Sequence, residues 1–281
     1  MNSICFNGKI ITENEPVLLA SNRSYRYGDG LFETMKIKDG NILLAANHFE
    51  RLFGSLSLLK FDVPQLFNKE KLEKDVLHLC RKNKCVKLAR VRLSVFRGNG
   101  GLYDDNKTLQ YIIECWALNE SVNTINENGL VIDIYPDGEK SCDKFSNLKS
   151  ANFQLYSMAA LFAKENKLND SLVLNTAGRI ADSTIANIFL IKAETIITPS
   201  LKEGCINGVM RKYLLEKLKA EDSNLQVEER TITVSDVKNA DEIFLTNAIN
   251  GIRWVGQCSN SKYTNVKTIE IYNRFIKTIM P

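Results

Sequence analysis

From one end of the chain to the other, segments whose apolar residues alternate with polar ones give way to segments whose apolar residues recur at helical spacing. This succession is what most limits the fold. The stretch "MKIKDGNILL" alternates around Asp39-Gly40, a pair suited to a type I′ hairpin turn. "HFERLFGSLSLL" follows, with Phe49, Leu52, Leu56 and Leu59 along one helical stripe. A second helix is expected near Lys69 to Lys84, and then strands over "VKLARVRLSVF" and "LQYIIECWAL". Residues 119–129, "NESVNTINENG", are polar and aperiodic and carry a glycine, which makes them the best linker.

The second half opens on the strand pattern "LVIDIYP". A polar loop leads to an amphipathic helix in which Tyr156, Ala159, Ala160 and Ala163 fall at i, i+3, i+4 and i+7. Then come "DSLVLN", a turn at Ala177-Gly178, strands "NIFLIK" and "TIITP", a helix from "NGVMRKYLLEKL", strands "LQVEERTI" and "DEIFLTNA", and a last helix near Val266 to Ile279. No fixed-period repeat or low-complexity tract interrupts the mixture. The expectation is an α/β (α+β) protein of two domains, a smaller one over 1–118 and a larger one over 130–281, joined by 119–129. A cleft between such domains is where a small-molecule site usually lies.

Bulk properties narrow the function. The 281 residues carry 37 Lys+Arg against 33 Asp+Glu, scattered rather than massed into a basic stripe, which argues against nucleic acid. No stretch holds eighteen uninterrupted apolar residues, and "MNSICFNGKII" lacks a basic segment followed by an apolar core, so a cytoplasmic protein without a membrane span is expected. The seven cysteines are odd in number and form no close Cys-x-x-Cys pair, and are read as free thiols.

Four places carry chemistry. In "GRIADSTIANIFLI", Asp182 stands just ahead of a strongly apolar strand, where an unpaired carboxylate is costly to bury. In "GCINGVMRKYLL", a helix starts directly after Gly208, so the amides near Val209 and Met210 can cradle a phosphate; equally, Asn207 can simply cap the helix. Arg51 in "NHFERL" offers a planar fork to a phosphate, or is a solvated surface charge. Lys149 in "FSNLKSAN" is expected at the opening of a helix, where a cation opposes the dipole; a desolvated lysine there can form a Schiff base with a carbonyl.

Taken in order, "YRYGDGLFETMKI", "HFERL", "LK", "IADSTIANIF", "GVMR" and "DEIFLTNA" resemble the class IV aminotransferase family, the pyridoxal phosphate enzymes of fold type IV. The resemblance spans nearly the whole chain. It implies a two-domain architecture with the cofactor in the cleft, and a homodimer with the site near the subunit interface. It assigns Lys149 to holding pyridoxal 5'-phosphate and moving the proton, Arg51 and the amides of Val209 and Met210 to the phosphate, and Thr246 and Asn247 to the last cofactor-binding loop. Asp182 stands where the family carries a glutamate facing the pyridine nitrogen. The aspartate is shorter by one C–C bond, roughly 1.5 Å.

Within the family the discriminating blocks lean toward 4-amino-4-deoxychorismate lyase, which eliminates pyruvate to give 4-aminobenzoate for folate synthesis. "FLTNAINGI" resembles the lyase loop, Thr34 in "GDGLFET" matches a threonine of the lyase active site, and "FRGNGGLYDD" resembles an Arg-Gly-x-Gly-Gly segment with Tyr103 as a substrate-side tyrosine. Tyr27 in "YRYGDG" is assigned to the substrate side as well. Leu102 lies about where lyases and D-amino-acid aminotransferases often carry a second arginine. Arg92 is the substitute anion binder, resembling a branched-chain aminotransferase arginine, or else an outward charge on a strand. A branched-chain or D-amino-acid aminotransferase is therefore the alternative function. A homologue that binds the cofactor without turnover is the third reading.

Overall fold

The computed structural model describes residues 2–221 and 226–280, which form two compact units, one of Met1–Glu120 with Lys149–Phe153 and the other of Ser121–Leu148 with Gln154–Pro281. The strand expected over "LQVEERTI" begins at Leu225, which lies outside the described residues.

The first unit contains β1 (Ser3–Phe6), β2 (Lys9–Thr12), α1 (Arg23–Tyr27), β3 (Gly30–Lys38), β4 (Asn41–Ile42), α2 (Ala45–Leu58), α3 (Lys69–Lys82), β5 (Leu88–Arg97) and β6 (Leu109–Ala117). Its strands form one antiparallel sheet in the order β2-β1-β6-β5-β3-β4. The hairpin between β3 and β4 turns where expected, with Asp39 at φ 46° and Gly40 at φ 75°, the two positive angles that a type I′ turn demands. Alternation sends Met35, Ile37, Val91, Leu93 and Ile113 into the core, which α2 completes with Phe49, Leu52 and Leu56 and α3 with Leu72, Val76 and Leu79. Leu59 of the expected stripe falls one residue past the end of α2 and is only half-buried. Asn68 caps α3, its side-chain oxygen accepting from the Lys71 amide at 2.9 Å, and Arg81 and Lys82 favour the negative end of the helix.

The second unit contains β7 (Leu130–Lys140), α4 (Gln154–Glu165), β8 (Asp170–Asn175), β9 (Ile180–Ser183), β10 (Asn187–Lys192), β11 (Thr195–Pro199), α5 (Val209–Glu221), β12 (Gln226–Arg230), α6 (Val234–Asn239), β13 (Glu242–Asn247), β14 (Gly251–Cys258), β15 (Ser261–Lys262) and α7 (Val266–Ile271), which runs on into a π-helical turn over Tyr272–Ile276. The sheet runs β12-β11-β10-β13-β14-β7-β8-β9 with β15 on β14, and is mixed: β11 with β12, β14 with β7 and β7 with β8 are parallel pairs. Ile132, Leu172, Ile188, Leu190, Ile243 and Val255 anchor its core. The stripe read on α4 holds at Tyr156, Ala159 and Ala163, while Ala160 is exposed. No helix among the described residues is long and apolar enough to cross a membrane.

One expectation is corrected. Lys149 does not open a helix: α4 begins five residues later, and the segment is drawn out against β3, with the Phe32 amide donating to the Lys149 carbonyl at 2.9 Å and Leu31 bridging Ser150. Pairing with a strand more than a hundred residues away outweighs the local helical pattern.

Candidate functional site

The candidate residues of the first unit gather on and beside β3. Successive residues of a strand point to opposite faces, so Phe32 and Thr34 share one face and Glu33 takes the other. The Lys149 ammonium lies 4.5 Å from the centre of the Phe32 ring and 5.6 Å from that of Phe153, and these two rings meet edge to face at 5.3 Å. Thr34, half-buried, pairs in register with Arg92 of β5. The Arg92 guanidinium stacks on the same Phe32 ring, its central carbon 3.8 Å from the centroid, and its Nε donates to the Ser94 hydroxyl at 3.2 Å. Burial pushes the Arg92 guanidinium down, opposed by the Glu114 carboxylate, which faces it in register across β6.

On the opposite face Glu33 is buried and ion-paired. Arg51 grips it with two donors, Nε to Oε1 at 2.7 Å and an Nη to Oε2 at 2.5 Å, and His48, one turn back on α2, donates from Nδ1 to Oε2 at 2.7 Å. Burial alone raises a carboxylate, but Arg51 and then His48 outweigh it and hold Glu33 down to about 2. For His48 burial dominates and pushes the imidazole below its ordinary value; Glu33 opposes this, while the Arg51 and Lys149 charges add to it. The ring is neutral at pH 7, and its Nε2 is buried with no hydrogen-bond partner among the described residues. Glu33 and His48 were not singled out in the sequence, though His48 and Arg51 at i and i+3 on one helix were a usable signal.

Tyr27, Leu102 and Tyr103 are exposed. Tyr27 ends α1 with its ring exposed, 5.9 Å from the Arg23 guanidinium carbon, and Tyr103 is 96% exposed in the loop that also exposes Leu102.

In the second unit Asp182 lies on β9, fully buried. Both its oxygens accept from the Tyr156 hydroxyl, at 3.1 and 3.0 Å; Oδ2 also accepts from the Ile206 amide at 2.9 Å and pairs with the Lys140 ammonium at 3.3 Å. Lys140 also donates to the Tyr156 hydroxyl. Burial, and next the Asp182 charge, drive the Tyr156 phenol well above its ordinary value, so it stays protonated and remains a donor. The donors crowd Oδ2, leaving Oδ1 with the Tyr156 hydroxyl and a second lone pair for another donor. Sequence reading found Asp182 and took Tyr156 only as a packing residue. Lys140 was not found.

Near the start of α5 the backbone is set for an anion. The first amides of a helix have no intrahelical acceptor and carry the positive end of the dipole. Gly208 precedes them at a point where a Cβ would stand 1.9 Å from the Asn187 side-chain oxygen, so only glycine fits. Asn187 is itself fixed, donating to the Ile206 carbonyl at 2.8 Å and pairing in register with Thr246 of β13. The Thr246 hydroxyl oxygen is buried with no hydrogen-bond partner among the described residues. Asn247, beside it, turns its side-chain oxygen to the amides of Ile249 and Asn250 at 3.0 and 2.9 Å, shaping the loop after β13. An orphaned hydroxyl, a glycine that admits no Cβ and a helix start on adjoining strands are what a phosphate group would satisfy.

The fold and these two clusters define a class of protein before any comparison: an α/β enzyme with a half-buried lysine among aromatic rings, an anion-ready helix start and a buried carboxylate. The model for amino-transferase class IV matches residues 30–258, and the chain belongs to that family, the pyridoxal phosphate enzymes that its motifs resemble. A Methanocaldococcus jannaschii chain, provisionally named a branched-chain-amino-acid aminotransferase, is 27% identical over 278 residues, 97% of this chain and 94% of its own length. The aminodeoxychorismate lyase of Bacillus subtilis is 28% identical over 266 residues, 88% of this chain and 83% of its own. Among solved structures, the branched-chain aminotransferase of Thermoproteus uzoniensis with norvaline superposes with a TM-score of 0.87 at 19% identity, over 99% of this chain and 95% of its own, a likeness of fold.

Proposed function

We propose that this enzyme is a 4-amino-4-deoxychorismate lyase. The observation that carries the reading is Thr34: its hydroxyl shares a face of β3 with Phe32, the ring against which the Lys149 ammonium lies. Elimination of pyruvate needs one group to take a proton from the substrate ring and another to return one to the departing three-carbon unit, and a lysine with a neighbouring hydroxyl supplies both.

The residues proposed to hold pyridoxal phosphate are Lys149, Arg51, Asp182, Val209, Met210, Thr246 and Asn247. When bound, the cofactor supplies an electron sink next to the substrate's amino group. Lys149 would hold the cofactor through Nζ, and its free amine would take the proton from the substrate ring carbon that bears the amino group. Thr34 Oγ1 would hand a proton to the methylene carbon of the leaving group and recover one from the ammonium formed on Lys149. Asp182 would face the pyridine nitrogen and keep it protonated. Arg92 offers its guanidinium to a substrate carboxylate, with Tyr27 and Tyr103 on the substrate side. The working form is proposed to be a homodimer, which sedimentation of the purified protein tests.

A second reading, amino-acid transamination, is favoured by Arg92 and by Leu102 standing where an arginine would serve the lyase. One experiment separates the two. The holoenzyme, given aminodeoxychorismate without any keto acid, should release 4-aminobenzoate and pyruvate over many turnovers. A transaminase, given a branched-chain or D-amino acid alone, stops after one turnover per site and resumes when 2-oxoglutarate is added. That second pattern, with aminodeoxychorismate left untouched, refutes the lyase. Borohydride reduction and peptide mapping should place the pyridoxyl label on Lys149; a label on another lysine removes it from the mechanism.

A further inference from the structure

Three cysteines that are scattered in sequence converge in the first unit. Cys80 lies in the last turn of α3, Cys85 just beyond that helix, and Cys115 on β6; all three are buried, and their sulfurs lie within 4.8 Å of one another. The Cys85 and Cys115 sulfurs are 3.5 Å apart. The scaffold around them is fixed independently of the thiols. The Cys85 amide donates to the Cys80 carbonyl at 2.9 Å, closing the turn, and Lys84 takes a positive φ of 55° to allow it. Asn83 ties the same turn to β1, exchanging hydrogen bonds of 2.9 and 2.8 Å with the Ser3 backbone, and its side-chain amide reaches the Cys115 sulfur at 3.3 Å.

We propose that this cluster is a three-coordinate site for a soft monovalent ion, copper(I). Metal–thiolate bonds are about 2.3 Å long, so three sulfurs around one ion in a plane stand about 4 Å apart. A pair at 3.5 Å, with all three sulfurs within 4.8 Å of one another, is compatible with that spacing. Thiolate sulfur selects copper(I) and zinc over harder ions. Between these two, coordination number decides. Zinc in a structural site takes four ligands, whereas no fourth histidine, cysteine or carboxylate joins the three sulfurs among the described residues, and their burial leaves little access for water. The Asn83 amide supplies an N–H donor to one of the sulfurs, the kind of outer contact that orients and stabilises a ligand. On binding, metal–sulfur bonds form, the ligating thiols release their protons to solvent, and no electron changes hands.

The site is independent of the cofactor chemistry. Its test uses the reduced full-length holoenzyme titrated anaerobically with copper(I) in competition with a chromophoric copper(I) chelator. One ion per chain is expected, with three sulfur neighbours near 2.3 Å by X-ray absorption. Cys80→Ser, Cys85→Ser and Cys115→Ser should each weaken binding at least tenfold, and Cys142→Ser, at an exposed thiol, should leave it unchanged. Should the serine variants fold poorly, Asn83→Ala gives a second readout, a weaker copper(I) affinity in a chain that keeps all its thiols. The proposal is overturned if the native chain binds no copper(I) beyond what the Cys80→Ser/Cys115→Ser double variant retains, if zinc binds there in preference to copper(I), or if the anaerobically reduced protein still yields a Cys85–Cys115 disulfide on mapping.

Discussion

Glu33 holds Arg51 by both carboxylate oxygens, at 2.7 and 2.5 Å, with His48 on the same carboxylate. The residue expected to meet a phosphate is thus aimed by a buried acid two elements away in sequence. Both partners that titrate make the fold sensitive to acid. The folded state depresses Glu33 to about 2, so its contribution is complete above the ordinary carboxylate range and is lost as pH falls toward 2. His48 is depressed as well, so the unfolded chain takes up its proton first, and stability begins to fall as pH drops below about 6.5. Thermal melts from pH 8 to pH 4 should show a declining melting temperature. Glu33→Gln should lower stability by about 3 kcal/mol at pH 7, the scale for breaking a buried pair.

The start of α5 gives a sharper test. Because the Thr246 hydroxyl has no protein partner among the described residues, Thr246→Val should cost nothing in the cofactor-free protein, while cofactor affinity falls about tenfold or more. Gly208→Ala should lower that affinity further, since the added Cβ collides with Asn187, which is pinned to the Ile206 carbonyl. Fluorescence titration of the stripped enzyme with pyridoxal phosphate reads both. Equal stability loss and unchanged affinity in Thr246→Val would assign the hydroxyl to packing.

These residues also mark what sequence could and could not reveal. The Asp39-Gly40 turn and the stripe of α2 were legible because a local pattern decides each: two residues tolerant of positive φ, and apolar side chains at helical spacing. Lys149 was legible as a motif, while its extended backbone was not, because β3 imposes it from far along the chain. Glu33 and Lys140 were missed for the same reason. Each is defined by a partner 18 or 42 residues away, and nothing in the spacing announces the pairing. The cysteines were passed over because their spacing fits no short motif, and only the packing of α3 on β6 brings them together.

Asp182 is surrounded by donors, and its replacement separates two roles. Asp182→Asn keeps the shape but removes the charge that balances Lys140 and that the proposed contact with the pyridine nitrogen needs. Turnover should fall on the order of a hundredfold or more, as for loss of one preorganised electrostatic partner, with a much smaller change in cofactor affinity. The variant should also unfold more readily, because Lys140 is left buried beside a neutral amide. An unchanged rate would make Asp182 a partner of Tyr156 and Lys140 alone.

Thr34 and Arg92 face each other in register across β3 and β5, yet they should fail in different ways. A hydroxyl that delivers a proton acts in the transition state, so Thr34→Val should lower kcat by about a hundredfold and leave KM nearly unchanged. A guanidinium that binds a substrate carboxylate acts alike in ground and transition states. Arg92→Gln should therefore raise KM by roughly ten- to a hundredfold, the worth of one charge-assisted hydrogen bond, with kcat largely kept. The measurement is a full saturation curve for 4-aminobenzoate formation with each variant. If Thr34→Val turns over at the native rate while Arg92→Gln loses binding of branched-chain or D-amino acids instead, the hydroxyl has no part in the chemistry and the balance moves to the transaminase.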